Sequence, residues 1–273
     1  MNPSGDPINM EYLALIRTFN SLPLVEDVIR SLRMQSRPPT AIMAVDSGSD
    51  PAQAEALRAL VDIWLDVSGQ PFNYARSINL GVQATELENV LIISSHVILR
   101  EQDVMQRFFS ELTSKGDRVG SIISNKSHPW LVRQVNNVNF TGVNGLTNSC
   151  SFAPAALLRE LPFREEVFAS EDQEWTKRFL AVKADNLTIV ETGQIDYLNK
   201  HFSYKKKYNE EMALATFVDT RRKGLPAILT WLLKSAWSIC VKGDIAKANH
   251  RFKVAMGLCK ARLRKPDINS KYY

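Results

Sequence analysis

The chain has 273 residues, of which 45% are hydrophobic and 23% are charged, proportions that are typical of a globular protein with a sizeable core. The three cysteines are widely spaced, which argues against a disulfide framework or a zinc cluster and favours a reducing compartment. The polar first ten residues do not resemble a signal peptide, and no apolar run reaches the length of about 18 residues that a transmembrane helix needs. We therefore expect a cytoplasmic protein.

Charge is distributed unevenly along the chain. From residue 201 onward there are 16 Lys and Arg residues against 5 Asp and Glu residues, whereas the whole chain carries a net charge of only +5. A basic C-terminal segment behind a slightly acidic body indicates an anionic partner. A phospholipid surface or a lipid-linked phosphate fits better than nucleic acid, because basic and aromatic residues do not alternate as they do in single-strand binders.

The first hundred residues alternate between short apolar runs and segments of helical periodicity. We predict strands at 12–16, 41–45, 63–67 and 90–93, and helices at 25–34, 51–61 and about 72–86. This order is typical of an α/β domain with a largely parallel sheet, in which ligands bind at the carboxyl ends of the strands. Three predicted strands end in polar clusters, which are therefore the expected positions for site residues: 17–20, 46–50 and 94–96.

The next hundred residues are less regular. We predict a helix at 102–112, a strand at 119–123, a helix at 154–160 and a strand at 187–190. Residues 125–148 are rich in Asn and Gly and show no clear period. They form either a long excursion with substrate contacts or an exposed loop, since long loops in compact domains are seldom without function.

A run of acidic residues begins a predicted helix near residue 170. Ser170 and Gln173 fit a capping box, which places Asp172 in the first helical turn at the mouth of a cleft. The carboxylates of Glu171 and Asp172 could simply complement the helix dipole. Alternatively, Asp172 is a general base aimed at an acceptor hydroxyl group.

The C-terminal segment predicts two amphipathic helices, one on each side of Asp244. Lys234 lies in the middle of the first, where burial at a bilayer centre would cost roughly 2.5 to 3.5 kcal/mol, so a membrane span is disfavoured. Binding in a membrane interface through residues 221–265, docking on the body of the protein, and formation of a homodimer all remain open.

Together, seven segments in this order resemble family 2 glycosyltransferases with the GT-A fold, particularly the rhamnosyltransferase-like bacterial members. The likeness covers about residues 11–205 and rests on IRTFNS (16–21), VDSGS (45–49), FNYARSINLG (72–81), LIISSHVIL (91–99), NSCS (148–151), PF (162–163) and EDQEW (171–175). It implies a catalytic domain at 1–215, with a nucleotide-binding half at about 11–100 and an acceptor half at about 101–215. The basic helical tail would then occupy 216–273.

The resemblance also implies roles for individual residues. Asp172 matches the catalytic base, which would deprotonate an acceptor hydroxyl group as its oxygen attacks the anomeric carbon and inverts its configuration. The donor side of the site would comprise Arg17, Phe19, Asp46, Arg76, Asn79, Ser94 and Ser95. The acceptor side would comprise Glu171, Trp175, Asn148 and Trp130.

The family's metal-binding DxD motif is replaced here by Ser94-Ser95-His96. This resembles the DxH motif of polypeptide N-acetylgalactosaminyltransferases, which implies His96 and His201 as ligands of a divalent metal, Mn²⁺ or Mg²⁺. Without a metal, Arg76 and the lysines at 205–207 would offset the phosphate charge, unless those lysines form a solvated basic turn.

The resemblance therefore implies an inverting hexosyl- or deoxyhexosyltransferase. It would use a nucleoside-diphosphate sugar and a glycan or lipid-linked acceptor in bacterial polysaccharide biosynthesis, at the inner face of the plasma membrane. One alternative is a nucleotide-sugar-binding protein with little turnover. A second is a GT-A-like nucleotidyltransferase, although the Gly- and Arg-rich phosphate loop of such enzymes is missing near Arg17.

Overall fold

The structure is a computed structural model, and it describes residues 11–183, 185–198 and 203–264. The strands are β1 (Leu13–Thr18), β2 (Ala41–Asp46), β3 (Ile63–Asp66), β4 (Asn89–Ser94), β5 (Val97–Leu99), β6 (Gly120–Ser124), β7 (Leu131–Val135), β8 (Cys150–Pro154), β9 (Leu187–Thr192) and β10 (Ile195–Tyr197). The helices are α1 (Leu24–Arg33), α2 (Pro51–Arg58), α3 (Tyr74–Gln83), α4 (Val104–Lys115), α5 (Ala155–Glu160), α6 (Glu171–Lys183), α7 (Tyr204–Ala213), α8 (Leu225–Cys240) and α9 (Ile245–Leu263).

Eight of these strands form one central sheet in the order β3-β2-β1-β4-β8-β6-β9-β7. Strands β1 to β4 are parallel, β8 is antiparallel to both β4 and β6, and β9 runs parallel to β6. Strand β7 closes the far edge in the antiparallel sense, and β5 pairs with β10 in a separate two-stranded sheet. The predicted mostly parallel sheet is confirmed, and the carboxyl ends of β1, β2 and β4 meet at one edge.

Helices cover both faces of the sheet, because side chains of each buried strand alternate between two cores. On β1, Ala14 and Ile16 join a cluster with helices α1 and α4. Leu13 and Leu15 join a second cluster with helices α3, α5 and α6. Burial on both sides explains why these strands are continuous apolar runs in the sequence.

Four strands and one helix differ from the sequence-based predictions. Strands β5, β7, β8 and β10 were not predicted, and β7 lies within the segment 125–148 that was predicted to be irregular. The lysines at 205–207 belong to helix α7, not to a basic turn. The capping box at α6 is also wrong, because the side chain of Gln173 bonds to Gly145 N at 3.0 Å and Leu146 O at 2.7 Å.

The tail helices pack on the body through a third apolar cluster. Phe168 and Ala169, which precede α6, contact residues of α7, α8 and α9 that include Met212, Ile228 and Leu258. In the described part of the chain, no helix is both long enough and apolar enough to cross a membrane. The two predicted C-terminal helices are confirmed as α8 and α9, and one face of this pair packs on the rest of the protein.

Close packing between α3 and the sheet gives a test of this core. A Cβ atom on Gly81 would collide with Leu15 Cδ1 and would lie 3.0 Å from Val45 Cγ2, and both neighbours are fully buried. We expect Gly81→Ala to lower the free energy of unfolding by about 1–3 kcal/mol, because the core would be overpacked. Urea unfolding measures this change. Gly69→Ala is the control, since a Cβ atom there meets nothing within 4 Å, and an equal loss in both variants would contradict the packing argument.

Candidate active site

The loops after β1 and β2 are joined by the carboxylate of Asp46. Its oxygens accept hydrogen bonds from Thr18 Oγ1 at 3.0 Å, Ser49 Oγ at 2.5 Å, Gly48 N at 3.1 Å and Ser49 N at 2.8 Å. A carboxylate has about four acceptor positions, so Asp46 is fully used inside the protein. Asp46 therefore holds the shape of the loop that borders the site.

Arg17, near the end of β1, is the central cation of the site. Its guanidinium lies 5.1 Å from the centre of the Tyr74 ring, and Nη2 donates to Asn148 O at 3.4 Å. Nη1 lies 3.8 Å from Glu171 Oε1. Within the described residues, the buried Nε and Nη1 of Arg17 have no hydrogen-bond partner. Both donors therefore retain unused hydrogen-bonding capacity, while Nη1 also lies in the ion pair with Glu171.

Asn148 connects the elements that meet around Arg17. Its side-chain Nδ2 donates to Glu171 Oε1 at 3.1 Å, and its backbone N donates to Asp172 Oδ2 at 3.3 Å. Its backbone carbonyl accepts from Arg17 and from Ser94 Oγ, each at 3.4 Å. Asn148 is itself buried. The residue predicted as an acceptor contact therefore links β1, β4 and α6.

Glu171 and Asp172 form the acidic pair at the start of α6. Ser170, just before the pair, has a positive φ of 54°, and Asp172 Oδ1 accepts from Gln173 N at 2.8 Å. Burial and the neighbouring charge of Glu171 raise the pKa of Asp172 to about 7, while Arg17 and the hydrogen bonds act in the opposite direction. Asp172 can therefore gain or lose a proton near neutral pH, as a general base must.

His96 lies where the DxD motif would provide carboxylates. Its ring packs edge-on against Tyr197, with 4.4 Å between the ring centres, and its buried Nε2 has no hydrogen-bond partner among the described residues. Burial and the charges of Arg17 and Lys206 lower the pKa of His96 to about 4. The imidazole is therefore neutral at physiological pH.

These surroundings do not fit a divalent metal well. A neutral imidazole is a good ligand, but the charges that lower the pKa of His96 are the cations of Arg17 and Lys206, which would repel a metal ion. Across the residues that the structure covers, no group of three or more His, Cys, Asp or Glu side chains could hold a metal. The predicted second ligand, His201, lies outside the described residues.

Arg76 and Asn79 are held by the segment before α6. Arg76 forms an ion pair with Glu165 at 2.6 Å and donates to Pro71 O at 3.2 Å. Asn79 bonds to both backbone groups of Phe163, at 2.8 Å and 3.0 Å. The structure thus brings these two residues together with residues 163–165. Their contacts connect α3 to that segment.

The two tryptophans predicted on the acceptor side both pack against other side chains of the protein. Trp175 is fully buried, stacks between Phe163 and Phe179, and donates its indole N–H to Leu161 O at 2.6 Å. This burial does not support an acceptor contact, and we assign Trp175 to the core. Trp130 packs on α4, where it bonds to Glu111 and lies under the guanidinium of Arg107.

The remaining predicted donor residues lie at the carboxyl ends of β1 and β4. Phe19 is 38% exposed just beyond β1, while Ser94 is buried and Ser95 is half-buried after β4. Tyr74 and Tyr197, which were not among the predicted site residues, contact Arg17 and His96, respectively. Tyr74 lies in a recognised motif, so it could have been found, but nothing in the sequence places Tyr197 beside His96.

No family model and no curated protein matches the sequence. Solved structures do match the fold. S. aureus TarS 1–349 is 15% identical with a TM-score of 0.53, covering 96% of this chain and 95% of that one, although the chain spans only 44% of the longer TarS structure. The mannosyltransferase PcManGT from Pyrobaculum calidifontis, solved with GDP-Man and Mn²⁺, is 12% identical with a TM-score of 0.60, covering 93% of this chain and 87% of that one.

A third similar structure is glucosyl-3-phosphoglycerate synthase from Mycobacterium tuberculosis, solved with Mn²⁺ and UDP. It is 14% identical with a TM-score of 0.55, covering 78% of this chain and 79% of that one. At these identities the likeness concerns the fold alone. The predicted GT-A fold is confirmed, and the helical C-terminal extension agrees with α8 and α9.

The charges around Asp172 predict how its pKa responds to substitution. Glu171→Gln removes a like charge, so the pKa of Asp172 should fall below 7. Arg17→Met removes an opposite charge, so the pKa should rise. Titration of the carboxyl carbon by NMR measures both shifts. Glu165→Gln, whose parent side chain pairs with Arg76, is the control, and equal shifts in all three variants would contradict this assignment.

Proposed function

We propose that the protein is an inverting glycosyltransferase that moves a sugar from a nucleoside-diphosphate donor to a hydroxyl group. The observation that carries this proposal is the Glu171–Asp172 pair beside Arg17 at the carboxyl edge of a GT-A sheet. A titratable carboxylate and guanidinium N–H groups without a hydrogen-bond partner in the described residues lie at the edge where open α/β sheets bind ligands. This arrangement is expected for proton abstraction next to a departing phosphate.

In this mechanism, the ionised carboxylate of Asp172 accepts the proton of the acceptor hydroxyl group. The acceptor oxygen forms a bond to the anomeric carbon from the face opposite the diphosphate, while the bond from that carbon to the phosphate oxygen breaks. The sugar is transferred with inversion, and the nucleoside diphosphate leaves with the electron pair of the broken bond. The pKa of about 7 places the base close to the working pH, where general-base catalysis is most effective.

The negative charge that develops on the leaving group requires compensation. Nε and Nη1 of Arg17 have no hydrogen-bond partner among the described residues, which supports a role for Arg17 in binding the diphosphate. PcManGT and the mycobacterial synthase were solved with Mn²⁺, which makes a divalent metal the natural alternative. Because the donor set around His96 does not fit a metal well, we assign no step to one.

The other contacts proposed for the sugar donor follow from where the predicted residues lie in the fold. Phe19 is exposed just after β1, where an aromatic ring can pack on a nucleobase, and nearby Ser94 ends β4 and Ser95 follows it. Asp46, Arg76 and Asn79 would act by shaping the loops around the nucleotide, since their polar atoms bond to protein groups. We place a glycan or a lipid-linked glycan on the side of Glu171, Asp172 and Asn148.

The proposal also includes a class of sugar and a biosynthetic pathway. TarS was solved with UDP-GlcNAc and PcManGT with GDP-Man, so similar folds accept different bases and sugars. A hexose or deoxyhexose transferred in bacterial polysaccharide synthesis agrees with the rhamnosyltransferase-like motifs. A nucleotide-sugar-binding protein without turnover is less well supported, because simple donor binding does not require a carboxylate with a raised pKa.

Removing the base distinguishes catalysis from simple binding. We expect Asp172→Asn to lower the rate of nucleoside-diphosphate release by at least about 100-fold, since general-base catalysis contributes 10²–10⁴-fold. Binding of the donor should stay within a few fold of the parent. Release is measured with a panel of nucleotide sugars, with water or glycans as acceptors. Asp185→Asn, at a surface ion pair with Arg118, is the matched control. Unchanged turnover in Asp172→Asn would refute the assignment.

Nucleotide binding tests the donor side and the metal together. We expect calorimetry with UDP, GDP, dTDP and CMP to show one preferred diphosphate, and Arg17→Met to weaken it by about tenfold or more, because a charged hydrogen bond is lost. Similar binding with Mn²⁺ and with EDTA would support charge compensation by Arg17. Binding only with Mn²⁺ would instead make His96 a ligand. If no nucleotide binds, the proposed function is wrong.

A further inference from the structure

Helix α8 presents a line of exposed apolar side chains away from the body of the protein. Leu225, Leu229, Leu233 and Trp237 recur every four residues, and Leu233 is 71% exposed. The residues of α8 that are buried, Ile228, Ser235 and Ser238, lie on the opposite side of the helix. In the described part of the chain, this side of α8 packs against α9 and the third apolar cluster, which leaves an apolar face of α8 uncovered.

Helix α9 continues this pattern. Its exposed apolar residues are spaced so that they share one side of the helix: Ile245, Phe252, Met256 and Leu263. Val254, Leu258 and Ala261 are buried on the other side, against α7 and the body. We call these two exposed lines together the outer face of the tail.

The outer face lies in a strongly basic segment. Residues 221–264 contain eleven Lys and Arg residues and one acidic residue, Asp244. The carboxylate of Asp244 caps α9 by accepting from Lys247 N at 2.9 Å. Lys234 and Lys242 lie beside the exposed line of α8, with their ammonium groups 5.5 Å and 4.7 Å from the ring centres of Trp231 and Trp237.

The positive charge of the tail distinguishes the two partners that could cover the outer face, a second copy of the chain and a bilayer. A two-fold dimer would place the same basic surface of two copies together, and like charges at close range oppose association. An anionic bilayer has the complementary charge. Leucine and tryptophan side chains can enter its acyl boundary, while lysine side chains extend to the lipid phosphates. Aromatic residues with neighbouring lysines are typical of interfacial helices.

We propose that the outer face of the tail binds the surface of an anionic phospholipid bilayer, with α8 and α9 lying in the plane of the interface. The apolar lines provide burial, and the basic residues provide attraction to lipid phosphates. This inference goes beyond the proposed glycosyl transfer and does not depend on it, because it rests on residues that lie outside the candidate site.

The test uses the full chain and lipid vesicles. Vesicles of phosphatidylcholine with about one third phosphatidylglycerol should bind the protein at least tenfold more tightly than phosphatidylcholine alone. The reason is that each basic residue near the membrane adds to the attraction between the protein and the anionic lipids. Raising the salt concentration from about 0.1 M to about 0.5 M should weaken binding several-fold, since the ionic attraction is screened. Vesicle sedimentation measures both effects.

Substitutions separate the apolar contribution from the ionic one. Leu229→Gln with Leu233→Gln should reduce binding at least tenfold, whereas Val182→Gln, at a 65% exposed position of α6, should leave it unchanged. Lys234→Gln with Lys242→Gln should reduce binding to anionic vesicles by about tenfold and leave binding to neutral vesicles unchanged. Brominated lipids should quench tryptophan fluorescence, and Trp237→Phe should remove most of that quenching.

Several outcomes would overturn the inference. Absence of vesicle binding, or equal binding to neutral and anionic vesicles at all salt concentrations, would refute an anionic bilayer as the partner. A dimer in sedimentation velocity that dissociates with Leu229→Gln and Leu233→Gln would identify a second copy as the occupant. Circular dichroism and nucleotide binding of each variant show that it is folded. If the unmodified protein itself binds no nucleotide, this result contradicts only the proposed function.

Discussion

The site depends on one interaction, the burial of the Arg17 guanidinium beside the Glu171 carboxylate. A buried cation is costly unless charged and polar partners compensate it, and here Glu171 and the carbonyl of Asn148 do so. Arg17 belongs to β1, Glu171 belongs to α6, and Asn148 lies two residues before the start of β8. The compensation therefore fixes the start of α6, with Asp172, relative to the strands whose carboxyl ends form the opposite side of the site.

The same charges set the proton affinity of Asp172. Burial and Glu171 favour the protonated carboxyl, while Arg17 and the N–H groups of Asn148 and Gln173 favour the carboxylate. The influences that favour the protonated form are larger, so the pKa of Asp172 rises to about 7. Glu171 thus has two effects: it compensates Arg17, and it makes Asp172 a stronger base than an isolated aspartate.

The parts of the fold that could be predicted are those with a local signal. Strands β1, β2 and β4 were recognised because burial on both faces makes them continuous apolar runs. Strands β7 and β8 were missed, since β7 is half-exposed and β8 follows a polar segment without a clear period. At the site, Arg17 and Asp172 lie in recognisable motifs. The pairing of Arg76 with Glu165 or of Asn79 with Phe163 spans more than 80 residues, and no local pattern reveals it.

The replacement of a DxD motif by Ser94-Ser95-His96 changes the electrostatics at this edge of the sheet. Two carboxylates next to a diphosphate would repel it, so a metal ion is needed to join them. Here the corresponding side chains are two hydroxyl groups and a neutral imidazole, with Arg17 and Lys206 as the nearby cations. In the proposed mechanism, such a surface would attract a diphosphate without an added cation. That mechanism assigns charge compensation of the leaving group to Arg17, the residue that also orders the acidic pair.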